Sequence, residues 1–163
     1  MSRWGGGVSR RTATRVLACA VLVGPSLAAC TPDTTPLAEK NGDGTLRTDL
    51  DPLVTRVPRL AAATSALWMG GTLGSDRVPG PSTYWIDAVV ALDDATLQEV
   101  SALPGLELAG APAVVQGLQS SMPKGHLQRS DALDRFFTAP PWYVQAWLAQ
   151  ESKQVVLLVQ GGN

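Results

Sequence analysis

Thr83-Tyr-Trp-Ile-Asp-Ala-Val-Val-Ala-Leu92 is the stretch on which the fold turns. It is rich in aromatic and β-branched residues, which pack well on a pleated surface, and it reads as a strand. Tyr84, Ile86, Ala88 and Val90 alternate with Trp85, Asp87, Val89 and Ala91, so Asp87 belongs to the face opposite Tyr84. A carboxylate there either sits on a solvated face, pairs with an arginine such as Arg77, or lines a pocket. Upstream, Ser65-Ala-Leu-Trp-Met-Gly-Gly-Thr-Leu73 is a second strand. The intervening Gly74–Ser82 segment has turn chemistry that joins the two as an antiparallel pair. Its tip, Arg77, Val78, Pro79, Gly80 and Pro81, is stiffened by two prolines and forms a candidate recognition loop. Downstream, Gln154-Val-Val-Leu-Leu-Val-Gln160 is a continuous apolar run of strand length, expected to pair with residues 83–92 as a central strand.

Helical spacing appears around these strands. Leu50, Leu53, Val54 and Val57 follow a helical period, with Asp51-Pro52 at the start and Pro58 at the end. Asp93-Asp94 caps a helix carrying Leu97, Val100 and Leu103, which Pro104-Gly105 stops. Residues 106–118 are ambiguous, with a short helix expected from Pro112 through Gln119. Ser130 or Asp131 caps another helix bearing Leu133, Phe136 and Phe137, and Pro141 opens a third bearing Trp142, Val144, Trp147 and Leu148. The fold class expected is α+β: a small antiparallel or mixed sheet of three to four strands with helices packed mainly on one face.

The N-terminus has a separate logic. Arg3, Arg10, Arg11 and Arg15 precede the apolar stretch 16–29, which Gly24 and Pro25 interrupt and which is too short to span about 30 Å of hydrocarbon. Leu27-Ala28-Ala29-Cys30 then resembles the lipobox of bacterial lipoproteins. That resemblance implies a diacylglyceryl thioether on Cys30 and cleavage between Ala29 and Cys30. The other reading is an ordinary secretory signal that leaves Cys30 as an unpaired thiol, since the only other cysteine, Cys19, would leave with the signal. Ser9-Arg10-Arg11-Thr12 partly resembles a twin-arginine export signal, so the general secretory and twin-arginine routes both stay open. The expected domains are a signal peptide at 1–29, a lipidated N-terminus and tether at 30–48, and a globular domain at 49–163.

Across the chain, 45% hydrophobic and 17% charged residues mark a globular protein rather than a disordered one. Loss of the four N-terminal arginines would leave 9 basic against 14 acidic side chains, a net charge of −5. That balance argues against nucleic acid and against electrostatic adhesion to anionic lipid, so the lipid alone would supply attachment. The tether is rich in Pro, Thr, Gly and Asp. Within it Glu39, Asn41, Asp43 and Gly44 match the start of a calcium loop, but Leu50 stands where the closing glutamate belongs. A plain Gly-Asp turn is the simpler reading.

The chemistry-bearing residues are sparse. His126 is the sole histidine, which excludes metal sites built on several. Ser120 or Ser121 with His126 and Asp131 would write a triad, yet no nucleophile-elbow pattern surrounds either serine. Asp87 with Glu107 is a conceivable acid–base pair. Gly70-Gly71-Thr72-Leu73-Gly74 resembles a phosphate loop only loosely, lacking its lysine. Trp68, Trp85, Trp142 and Trp147 serve the core or, where exposed, glycan or peptide binding. No cofactor or metal is expected.

The chain as a whole resembles small lipoproteins of high-GC Gram-positive bacteria, through its lipobox, its Thr/Pro tether and its Ala/Gly/Leu/Arg bias. The resemblance implies a protein held on the extracytoplasmic face of the cell membrane by lipid on Cys30. The expected role is non-enzymatic binding of an envelope protein or cell-wall partner. Two alternatives stay open: a small hydrolase acting on cell-envelope material, and an accessory subunit of a membrane transporter or sensor.

Overall fold

The computed structural model describes residues 39–74 and 82–162. They form one antiparallel sheet of seven strands in the order β1-β2-β3-β7-β6-β5-β4. The strands are β1 (Lys40–Gly42), β2 (Ser65–Leu73), β3 (Thr83–Ala91), β4 (Glu107–Ala109), β5 (Leu127–Arg129), β6 (Trp142–Ala149) and β7 (Gln154–Gly162). Four short helices accompany them: α1 (Asp51–Arg56), α2 (Asp94–Ser101), α3 (Gln116–Gln119) and α4 (Asp131–Phe137). No helix among the described residues is long and apolar enough to cross a membrane.

The long central strands follow the sequence pattern. β2 and β3 pair in register from Ser65 opposite Ala91 to Leu73 opposite Thr83, and β7 lies beside β3. Val155, Val156, Leu157 and Val159 are all buried, so β7 is covered on both faces. The helix starts also follow local chemistry. The Asp93 carboxylate accepts from the Thr96 N–H at 3.1 Å, and Ser130 Oγ accepts from the Leu133 N–H at 3.0 Å, each satisfying a donor that the first helical turn leaves free. Gly105, at φ +74°, supplies the left-handed turn after α2.

The expected small sheet of three to four strands, with helices packed mainly on one face, is overturned: the domain is mostly sheet. Three differences account for it. First, residues 142–149 form β6 rather than a helix opened by Pro141. Trp142, Val144 and Leu148 satisfy a period of two as well as a helical one, and full-length pairing with β7 selects the strand. Secondly, β4 and β5 arise where the sequence has no clear period, and β1 comes from the stretch read as tether. Thirdly, both faces are packed. On one face α1, α2 and α4 set Leu53, Val100, Leu133 and Phe137 against Ile86, Ala88, Val90, Ala146, Leu148 and Leu157. On the other, the 110–126 segment sets Val114 and Leu118 against Met69, Trp85, Val89, Trp147 and Val156. Its helix is limited to Gln116–Gln119, shorter than the expected run from Pro112. Each of the buried Val, Leu, Ile, Met and Phe side chains among these contributes about 1.5–3 kcal/mol relative to exposure.

Asp87 ties the second face together. It is 1% exposed, which removes the solvated-face reading. Lys40 donates its ammonium to Oδ1, and the Val115 backbone N–H donates to Oδ2 at 2.8 Å. Lys40 reaches it from β1 across the glycine at Gly71, its Nζ lying 5.1 Å from the centre of the Trp85 ring. Among the described residues the cation beside it is Lys40, while Arg77 lies outside them. The carboxylate also fixes the start of α3.

Candidate functional site

The residues foreseen for export, Ala29 and Cys30, lie outside the described residues, as do Arg77, Val78, Pro79, Gly80 and Pro81 of the proposed recognition loop. The other foreseen constellations are pulled apart. Asp87 sits on β3 and Glu107 on β4, with β7, β6 and β5 between them. At about 4.8 Å per strand spacing that is roughly 19 Å, too far for one acid–base pair. No hydrogen bond joins His126 to Ser120, Ser121 or Asp131 among the described residues, and His126 is exposed. Residues 70–73 run inside strand β2 instead of forming a phosphate loop. Asp43 accepts from the Thr45 N–H at 2.9 Å and pairs with Arg47, while the Asn41 amide donates to the Gly74 carbonyl, so the calcium-loop positions serve a turn. Among the described residues no group of three or more His, Cys, Asp or Glu is arranged to hold a metal ion.

A different feature stands out at the sheet margin. β4 is the outermost strand on its side, and Leu108 at its centre is 71% exposed. Two clefts border it. The first, of about 460 Å³, runs between β4, β5 and the 110–126 segment, with a wall of Ala109, Pro112, Val114, Met122 and Leu127 and His126 at its rim. The second, of about 630 Å³, runs between β4, the Pro104-Gly105 turn and the start of α4, and holds Glu107, Arg129, Asp131 and Arg135. Leu108 and Ala109 border both. The edge strand thus borders both a largely apolar groove and a charged one.

Local chemistry builds each wall. Asp87 holds the Val115 N–H, which keeps Val114 turned inward at the apolar cleft. Arg129 lies 4.7 Å from the Trp147 ring centre and donates to Asp134 at 2.8 Å. The second Asp134 oxygen accepts from the Ala146 N–H at 2.8 Å, so the charged wall is anchored to β6. Arg135 has no ion-pair partner among the described residues.

An open strand edge offers unpaired main-chain groups, and an added extended segment would direct alternate side chains to opposite sides of the sheet. At β4 two clefts of unlike chemistry lie within reach of such a segment. Sequence reading missed this arrangement because three-residue strands carry no measurable period. The only local signal was the run of small and turn-forming residues at 110–113 between two unassigned stretches. No protein-family model, curated protein or solved structure matches the chain.

Proposed function

We propose that the chain is a lipid-anchored, extracytoplasmic binding protein that receives an extended peptide segment of an envelope partner along β4. The observation that carries the binding half is the open edge at Leu108 bordering an apolar and a charged cleft. Clefts of about 300–1,000 Å³ are the ordinary size for specific recognition, and both fall in that range. The anchoring half rests on Leu27-Ala28-Ala29-Cys30 after a basic and then apolar leader. Main-chain pairing with β4 supplies affinity, and the two clefts supply preference for a segment carrying both apolar and charged side chains.

The test is expression of the native chain and Cys30→Ala in a lipoprotein-processing bacterium, each carrying a photo-crosslinking amino acid at position 108. The native chain is expected in the membrane fraction, beginning at residue 30 with a diacylglyceryl-sized adduct, and crosslinked through position 108 to an envelope protein. Identical fractionation and mass for the two chains would remove the anchor. Crosslinking at an exposed control position such as Glu151, but not at 108, would remove the binding edge.

A further inference from the structure

A second site, independent of β4, lies on the helix-covered face of the sheet. Tyr84 on β3 and Trp142 on β6 are each in register with Gly161 on the intervening β7. Because Gly161 has no side chain, the two rings approach across it, with centroids 6.4 Å apart and planes at 44°. A Cβ at Gly161 would stand 2.6 Å from the Trp142 ring. Further along the same face Gly70 pairs with Ile86, and the Trp68 ring lies over it, 3.5 Å from where a Cβ would be. Glycine inside a strand weakens it, and often marks a place where another group comes close. Here a cleft of about 180 Å³ is lined by Gly70, Gly71 and Ile86 and by the rings of Trp68, Tyr84 and Trp142.

Two arginines border the cleft, and their states differ. Arg47 lies 5.1 Å from the Trp68 ring centre, but both terminal nitrogens already engage Asp43. Arg56 lies 5.1 Å from the Trp142 ring centre, and its one hydrogen bond among the described residues, Nη1 to the Pro52 carbonyl at 2.7 Å, goes to a neutral acceptor. It forms no ion pair among the described residues. The site therefore offers aromatic faces and one guanidinium whose charge is not neutralised. Guanidinium binds carboxylate in a two-pronged geometry, and aromatic faces take flat rings or the C–H face of a sugar. The volume is well below the 300–1,000 Å³ that holds drug-sized ligands, so one ring fits rather than a chain.

We infer that this cleft binds a single six-membered ring bearing a carboxylate, with the ring on Tyr84 and Trp142 and the carboxylate on Arg56. The test uses the purified full-length chain with ¹⁵N-labelled indoles, titrated with D-glucuronate, benzoate, D-glucose and acetate. Saturable movement of the Trp142 indole resonance by glucuronate or benzoate is expected, and which of the two acts tells a sugar acid from an aromatic acid. Glucose and acetate, each lacking one of the two recognition elements, should bind at least about tenfold more weakly. Arg56→Gln should weaken binding about tenfold, and Arg56→Lys by less, while Arg59→Gln changes nothing. If Arg56→Gln fails to fold, Tyr84→Leu replaces it, because Tyr84 is 38% exposed and its loss removes one ring wall. Glucose binding as tightly as glucuronate, unchanged affinity in Arg56→Gln or Tyr84→Leu, or no response to either acid overturns the assignment.

Discussion

Lys40, the first residue of β1, donates its ammonium to the buried carboxylate of Asp87 on β3, crossing β2 to do so. The Lys40 side chain keeps 25% of its exposure while Asp87 keeps 1%, so the two partners are not equivalent. Removing the lysine leaves a carboxylate in the interior with one backbone donor. Lys40→Met should therefore cost about 3 kcal/mol. Adding Asp87→Leu should recover most of that loss, since the uncompensated charge goes with it. Urea unfolding of the two single variants and the double variant measures the coupling, and strictly additive costs would contradict it.

The ring pair over Gly161 makes a second prediction. Gly161→Val would drive a side chain into Trp142 and the Pro141 carbonyl, whose oxygen lies 2.9 Å from the Cβ position. Overpacking of this kind costs about 1–3 kcal/mol, and thermal or urea denaturation should show it. Gly110→Ala, where nothing lies within 4 Å of the added atom, should be close to neutral by comparison.

Ser130 is expected to contribute as a cap. Ser130→Ala removes the acceptor for the Leu133 N–H at the start of α4 and should cost about 1 kcal/mol in urea denaturation, with Ser130→Asp retaining most of the stability.

Acid stability should depend on two surface aspartates. Hydrogen bonds from Thr96 hold the Asp93 carboxyl below its usual 3.8, and those from the Thr45 N–H and then Arg47 do the same for Asp43. A folded-state value below the unfolded one contributes stability that is complete above the unfolded value and lost as pH falls through the folded one. Urea midpoints should fall progressively below about pH 4. Asp93→Asn keeps a capping acceptor that does not titrate, so its midpoint should fall less steeply over that range.

The β4 edge should separate stability from binding. Leu108 is largely solvent-exposed, so Leu108→Lys should change the unfolding free energy by less than about 0.5 kcal/mol. Binding of a partner at the edge should be lost, because a charged edge residue discourages strand addition. A stable variant that still yields the same crosslinked partner from a neighbouring position would place recognition elsewhere.

The parts of the fold legible in the sequence are those with enough residues to establish a period or enough local chemistry to end an element. β2, β3 and β7 are nine residues each, and their alternation or continuous apolar content marks them as strands. The caps at Asp93 and Ser130 are settled within three residues of chain. β6 misled because Trp142, Val144 and Leu148 satisfy two periods at once, and only the neighbouring β7 chooses between them.

The functional surfaces belong to the other category. The leader and the Leu27-Ala28-Ala29-Cys30 motif are read one residue after another, so the sequence alone carries that expectation. The β4 clefts and the Tyr84–Trp142 cleft instead join residues distant in the chain, and local periodicity says nothing about which strands become neighbours. Tertiary structure decided that Lys40 would neutralise Asp87, that Gly161 would lie between Tyr84 and Trp142, and that Leu108 would remain uncovered. Each follows from strand order and register, which the burial of two apolar faces selects together and no single segment encodes.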